Sequence, residues 1–157
     1  MFELLLLVVV ANSAPVVARH LLGDRWARPI DGGRVLADGR PLLGTSKTWR
    51  GLASAALACA LAAPVLGVEV HHGAAAGALT MAGDLAASFA KRRRGYPASA
   101  HAPVLDTVPE ALLPALALAR PFALGWWEVP LLVVIFHFTV RFTSPVLYRL
   151  HLRRHPW

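Results

Sequence analysis

The chain is dominated by long apolar runs separated by short basic segments. A helix needs about 20 mainly apolar residues to cross the hydrocarbon of a bilayer, and the runs are close to that length. The chain is 56% hydrophobic with a mean hydropathy of +0.51, which a dispersed soluble core does not explain. We therefore predict an all-α integral membrane bundle of about five transmembrane helices, at Phe2–Leu22, Leu52–Val68, Gly73–Ala90, Leu105–Leu124 and Val129–Leu150.

We expect one membrane-embedded domain covering residues 1–157, since the sequence contains no evident internal repeat. The first run is interpreted as a span because no basic residue precedes it and no clear cleavage site follows. The lone Cys59 is expected to be a small packing residue. The Gly, Ala and Ser of the second and third spans permit close helix packing within the chain or in a homodimer.

The distribution of positive charge predicts the orientation of the bundle. A net charge of +7 and a pI near 11 could indicate nucleic acid, but in so apolar a chain orientation in a bilayer is the better explanation, and no nucleic-acid partner is expected. With the N-terminus outside, all but Arg120 of the 16 Lys and Arg residues fall on one side. The positive-inside rule makes those basic loops cytoplasmic, in a multi-pass protein of the cell (inner) membrane.

The loop before the second span contains the sequence GTSKTWRG, in which Gly44 and Gly51 bracket hydroxyls and two cations. Such residues bind phosphate through close backbone approach, N–H donors and counter-charge, although the Walker A order is absent. Alternatively, this is an interfacial loop with Trp49 anchored among the headgroups. Spacing alone leaves both interpretations open.

A carboxylate, Asp84, lies inside the apolar third span and is followed by the basic run Lys91–Arg94. A charge at bilayer depth is unfavourable, so an intramembrane acid predicts a functional site. Asp106 begins the next span, and antiparallel helices could bring the two carboxylates together to hold Mg²⁺. The alternative is that Asp84 pairs with Lys91 or Arg92 on its own helix and that Asp106 caps the following helix.

Histidines form two groups by their expected depth. His137 and Arg141 are four residues apart and share a face of the last span, where they either line a path for the lipid phosphate or pair with an internal carboxylate. Other histidines stand in a loop or near the C-terminal end, and we expect their side chains to face solvent or the lipid headgroups. They are His71, His72, His151 and His155.

Several strings together resemble the CDP-archaeol synthase family over nearly the whole chain. They are GRPLLGTSKTWRG, MAGDLAASFAKRRRG, PVLD, the N-terminal ANSAPVVAR with the following PIDGG, and the terminal Pro156-Trp157. The resemblance implies a five-helix membrane fold related to phosphatidate cytidylyltransferases, with Mg²⁺ as cofactor. It also implies transfer of CMP from CTP to a lipid phosphate, with release of pyrophosphate.

The resemblance also implies roles for individual residues. Lys47, Asp84 and Lys91 would be catalytic, with Asp84 and Asp106 binding the metal. Substrate-binding roles fall on Ser46, Thr48, Arg50, Ser88 and Arg92. Asn12, Pro15, Asp31 and Asp38 also match family positions, without a specified role. The chain departs from the family at Asp106-Thr107, where Asp-Gln is common, and at Pro109-Glu110, where some members carry another acid.

Two other classes of function remain open at the level of sequence. Basic juxtamembrane loops would also suit a non-catalytic membrane protein that binds anionic lipid headgroups. A small transporter would explain an intramembrane acid, but no inverted repeat supports it. The lipid acceptor is open as well: an ether-linked isoprenoid such as 2,3-di-O-geranylgeranylglyceryl phosphate, a diacyl chain or another polyprenyl chain all fit.

Overall fold

The computed structural model describes residues 1–97, 100 and 102–149, so His151, His155 and the terminal Pro156-Trp157 lie outside the described part. Five α-helices follow one another: α1 (Phe2–Leu22), α2 (Trp49–Ala62), α3 (Val70–Arg93), α4 (Pro103–Ala117) and α5 (Glu128–Arg149). A short 3-10 helix, Ala63–Leu66, continues α2. Across these ranges the β pairing is confined to two isolated bridges. The prediction of an all-α fold with five helices is confirmed.

The helix boundaries differ from the predicted spans for local reasons. α2 begins early, at Trp49, because the Thr48 hydroxyl caps it by accepting a hydrogen bond from the Gly51 N–H at 3.2 Å. α3 runs on to Arg93, so much of the basic run belongs to the helix. α4 ends at Ala117 rather than Leu124, shortly before Pro121, which disfavours helix in the residue ahead of it.

Glycines on α3 allow its neighbours to approach closely. A Cβ added to Gly77 would lie 2.5 Å from the Ala55 carbonyl oxygen of α2, and a Cβ at Gly73 would meet the Cys59 carbonyl oxygen equally closely. On another side of α3, a Cβ at Gly83 would clash with the carbonyl oxygen of Pro109 in α4. Small residues therefore serve packing within the chain, as was expected, and they place α3 between α2 and α4.

Apolar side chains lie both inside and outside the bundle. Leu4, Leu7 and Val8 of α1 and Leu132 and Phe136 of α5 are fully buried. Large apolar side chains are also exposed on the outer surface, among them Leu57, Leu61, Val65, Leu116 and Phe142. By length and composition, Phe2–Leu22 and Trp49–Leu66 are apolar enough to cross a membrane. An apolar exterior around a core that contains charge is typical of a bundle with lipid as its solvent.

Candidate active site

A cavity of about 1260 Å³ lies among all five helices and the loop before α2. Each of these six segments contributes polar groups to its wall, and α5 contributes both His137 and Arg141. Apolar residues such as Leu85 and Val140 complete the lining. Such a space, partly apolar and partly charged, is suited to a ligand with a polar head and an apolar body.

Lys47 and Asp84 form the first ion pair of this cavity. Lys47 Nζ lies 2.6 Å from both carboxylate oxygens of Asp84, and each side chain retains about a fifth of its exposure, 20% and 22%. The alternative interpretation, in which Asp84 pairs with Lys91 or Arg92 on its own helix, is wrong. The lysine of the GTSKTWRG loop reaches the acid instead.

Lys91 and Asp106 form the second ion pair, between α3 and α4. Lys91 Nζ also donates to the Ala100 carbonyl oxygen at 3.3 Å. Asp106 Oδ2 accepts a hydrogen bond from the N–H of Ala102 at 3.0 Å. Ala102 is the N-cap residue of α4 and Asp106 lies in the first turn, so Asp106 is not the cap that the alternative expected. Both acids therefore line one cavity, and each is paired with a lysine from another segment.

A second, smaller pocket of about 180 Å³ shares part of its wall with the first. It is lined by Leu43, Gly44, Ser46, Lys47, Ser88, Lys91 and Arg92, of which Ser46, Lys47 and Lys91 also line the large cavity. Arg92 is 5% exposed, and within the described part of the chain its Nε has no hydrogen-bond partner. A backbone glycine, hydroxyls and cations around a small space are the groups that bind phosphate.

The loop that carries Lys47 is folded around Asp31. This carboxylate is buried and accepts hydrogen bonds from the N–H groups of Gly33 and Leu43 at 2.9 Å and of Gly44 at 3.1 Å. Burial raises the pKa of Asp31, but the three N–H donors outweigh it and hold the pKa below the ordinary value. Asp31 matched a family position without a role. In the structure it fixes the backbone of the loop that carries Lys47.

Two predicted substrate-binding residues also have structural contacts. Arg50 lines the large cavity, while its Nη1 donates to the carbonyl oxygens of Gly23 at 2.8 Å and Arg25 at 2.6 Å. Thr48 lines the cavity and caps α2. Arg50, through its backbone contacts, and Thr48, through its cap, therefore hold the segment in place. Ser88 and Arg92 line the small pocket and are absent from the wall of the large one.

The sequence interpretation missed Glu110 as a site residue. It lies on α4, is 5% exposed, and its Oε2 accepts a hydrogen bond from Asn12 Nδ2 at 2.6 Å. Its carboxyl group lies next to Asp84 and within the electrostatic reach of Lys47. An acid inside an apolar span was the signal that selected Asp84, and the same signal applied to Glu110 would have found it.

His137 on α5 is bound to a hydroxyl. Its Nδ1 lies 2.7 Å from Thr107 Oγ1, and Thr107 Oγ1 donates to the Pro103 carbonyl oxygen at 2.8 Å, which leaves the histidine nitrogen as the donor to the hydroxyl. Both His137 and Arg141 line the large cavity, and a path for the lipid phosphate along them stays a prediction. Thr107, a departure from the family pattern, is thereby tied to α5.

The helical fold, the apolar exterior and the paired charges in a shared cavity define an intramembrane helical protein with a polar site. Comparison with known proteins identifies it further. The sequence profile of CarS-like CDP-archaeol synthase matches residues 1–78 and 65–157. The chain belongs to the CDP-archaeol synthase family.

Curated relatives and a solved structure agree with this assignment. The chain is 39% identical to a CDP-archaeol synthase of Aeropyrum pernix, with 98% of this chain and 89% of the relative aligned. It is also 39% identical to one of Halobacterium salinarum, over 94% and 90% of the two chains. A solved intramembrane enzyme for archaeal membrane lipids biosynthesis superposes with a TM-score of 0.67 at 35% identity, covering 95% of this chain and 89% of that one.

Proposed function

We propose that the chain synthesises a CDP-activated lipid by transferring CMP from CTP to a lipid phosphate, with pyrophosphate as the other product. The family assignment supports this reaction, and the name CDP-archaeol synthase that the relatives carry supports archaeol phosphate, a 2,3-di-O-geranylgeranylglyceryl phosphate-like lipid, as the acceptor. The apolar and charged walls of the large cavity suit a substrate with an isoprenoid body and a phosphate head.

The observation that carries the proposal is the meeting of two lysine–carboxylate pairs in one cavity that adjoins a cationic pocket. Lys47 and Lys91 line both spaces, so a triphosphate can extend from the acids into the small pocket. Ser46, Ser88 and Arg92 would bind its β and γ phosphates there. Thr48 and Arg50, on the wall of the large cavity, would contact the remaining phosphate groups of the substrates.

The reaction requires little covalent chemistry from the protein. A phosphate oxygen of the lipid attacks the α-phosphorus of CTP, the bond to the β-phosphate oxygen breaks, and pyrophosphate carries away the bonding electron pair. Lys47 and Lys91 neutralise charge that grows on the bridging and non-bridging oxygens. Positioning and charge stabilisation of this kind account for most of the rate in phosphoryl transfer.

Mg²⁺ is part of the proposal, with Asp84 and Asp106 as the residues that would hold it. Both are oxygen donors on the wall of one cavity, and oxygen donors are the ligands that Mg²⁺ prefers. Each is paired with the ammonium group of a lysine, and the same carboxylate oxygens would hold the ion. Bound there, the ion would neutralise phosphate charge and orient the triphosphate.

The site also supports an orientation in the membrane. The GTSKTWRG loop and the basic end of α3 lie at the same end of the bundle, where Lys47 meets Asp84. With this end in the cytoplasm, the positive-inside rule is obeyed and CTP reaches its loop from solution. A multi-pass protein of the cell membrane with its N-terminus outside follows from this orientation.

The test is incubation of the purified, detergent-solubilised protein with radiolabelled CTP, Mg²⁺ and a panel of lipid phosphates. A CDP-lipid should form with the wild type and not with Asp84→Asn, which preserves the shape of the side chain. No transfer by folded wild-type protein would contradict the proposal. It would revive the alternative of a headgroup-binding protein, which the family assignment and the buried acids disfavour.

A further inference from the structure

Glu110 is a buried acid to which the proposed reaction assigns no role. It is four residues after Asp106 on α4, so the two carboxylates share a helix face, and both line the large cavity. It lies next to Asp84 of α3. A buried carboxyl group in an apolar bundle needs either a structural partner or a ligand.

The packing of α3 on α4 brings Glu110 to this place. A Cβ on Gly83, the neighbour of Asp84, would lie 2.7 Å from the Cα of Glu110. Only a glycine allows this approach, because any side chain would push the helices apart. The backbone therefore holds the two carboxyl groups side by side rather than leaving their contact to flexible side chains.

The charges around the two acids do not balance. Lys47 is the ammonium group paired with Asp84, and Glu110 has its hydrogen bond from the neutral amide of Asn12. Two carboxyl groups that share one ammonium must hold either a proton or a further cation between them. Three acids that line one cavity, Asp84, Asp106 and Glu110, offer the oxygen donors that a hard divalent cation prefers.

We infer that Glu110, oriented by Asn12, is a third carboxylate of the divalent-cation site formed with Asp84 and Asp106. The inference rests on the proposed function, since it concerns the cation of the same site.

The experiment measures binding of Mn²⁺ to the purified, detergent-solubilised full chain by electron paramagnetic resonance. We expect Glu110→Gln to weaken Mn²⁺ binding at least about tenfold, as loss of a supporting metal contact does. Glu128→Gln is the matched control, because Glu128 is also a helix glutamate, bound to the Gly125 N–H at 2.7 Å, and is absent from the cavity wall. It should bind Mn²⁺ within about twofold of the wild type.

Thermal unfolding without metal separates a cation ligand from a merely structural acid. In the metal-free protein no cation depends on Glu110, and the glutamine amide can still hydrogen-bond to Asn12 and Asp84, so Glu110→Gln should not lower the melting temperature. Wild-type Mn²⁺ affinity in Glu110→Gln, or no Mn²⁺ binding by the wild type, overturns the inference. If Glu110→Gln does not fold, Glu110→Asp replaces it, because this variant keeps the charge and withdraws the carboxylate oxygens by one methylene. Unchanged Mn²⁺ affinity in Glu110→Asp would also overturn the inference.

CMP transfer by the same samples keeps the two proposals distinguishable. If the wild type transfers CMP and Glu110→Gln binds Mn²⁺ normally, only the inference about Glu110 fails. If the wild type transfers no nucleoside monophosphate from CTP or another nucleotide, but Glu110→Gln still binds Mn²⁺ more weakly than the wild type, the proposed reaction fails and the cation site stands.

Discussion

Lys47 Nζ lies 2.6 Å from both carboxylate oxygens of Asp84, a residue 37 positions away in the sequence. The contact joins the GTSKTWRG loop to the acid inside α3. It also makes the loop and the helix one unit, in which the ammonium group of the loop balances the charge of the acid.

Lys47→Met should lower both activity and stability. We expect a loss of about 10²- to 10³-fold in CMP transfer, the range found when one charge-stabilising group is removed. The melting temperature should also fall, because Asp84 is left partly buried without its cation. Radiolabel transfer and thermal unfolding in detergent measure the two effects.

A double variant distinguishes the ion pair from general damage. Lys47→Met combined with Asp84→Asn removes both charges, so the melting temperature should recover while activity stays low. A double variant that is as unstable as the sum of the two single variants would show that the pair is not coupled.

The lowered pKa of Asp31 makes the stability of the protein depend on pH. Its folded-state pKa is below the unfolded value of about 3.9, so its stabilising effect is complete above that pH and is lost as the pH falls through the folded pKa. Asp31→Asn should therefore melt below the wild type at pH 7. A loss of about 1 kcal/mol would lower the melting temperature by roughly 2–4 °C.

The difference between wild type and Asp31→Asn should shrink in buffers below pH about 3.9, where the wild-type carboxylate begins to be protonated. Thermal unfolding of both proteins in detergent across a series of pH values gives this comparison. A difference that is independent of pH would mean that Asp31 does not act through its charge.

The fold could be predicted from sequence because it depends on strong local signals. Apolar runs such as Phe2–Leu22 specify helices by length and composition, and the observed α1 has the same bounds. The ends of α2 and α4 could not be placed as well. They depend on the Thr48 cap and on prolines, whose effects are local but compete with the apolar pattern.

The pairing of charges within the site could not be predicted, because it depends on how helices and loop meet. Lys91 follows Asp84 along the same helix, and the sequence offers no reason to prefer Lys47 as the partner of that acid. The close contact at Gly83 and the position of the loop decide it. Glu110 itself carried a local signal, an acid inside an apolar span, but its contacts with Asn12 and Asp84 could not be predicted because those residues come from other helices.

Gly83→Ala should disturb the site without changing any charged residue. The added methyl group meets the carbonyl oxygen of Pro109, a backbone atom that cannot rotate away, so α3 and α4 must separate. Overpacking of this kind costs about 1–3 kcal/mol. We expect a lower melting temperature and reduced CMP transfer.

Gly95→Ala serves as a comparison for the steric effect, since the Cβ there would meet the flexible end of the Arg40 side chain at 3.1 Å instead of backbone. Its left-handed φ of 78° adds local strain but leaves the α3–α4 contact intact. Equal loss of CMP transfer in both variants would contradict a specific role for the approach at Gly83.

Arg92 and Arg93 are adjacent but face different surroundings, which gives a matched pair of variants. Arg92 is buried in the wall of the small pocket. Arg93 holds the loop: its Nη1 donates to Asp38 Oδ2, and its Nη2 to the Pro41 carbonyl oxygen, each at 2.5 Å. Arg92→Gln and Arg93→Gln make the same change of charge and shape. A difference between the two variants in KM or in stability therefore reflects the different surroundings of the two arginines.

Arg92→Gln should raise the KM for CTP about tenfold or more, the range for losing one hydrogen bond to a charged group. Its melting temperature should fall less than that of Arg93→Gln, because Arg93 loses two hydrogen bonds that hold the loop. Arg93→Gln should show the reverse, with a KM near the wild type and faster proteolysis of the loop before α2. Steady-state kinetics with varied CTP and limited proteolysis decide between the roles. A wild-type KM in Arg92→Gln would remove Arg92 from the phosphate pocket, since a cation in contact with the triphosphate cannot be replaced by an amide without weakening its binding.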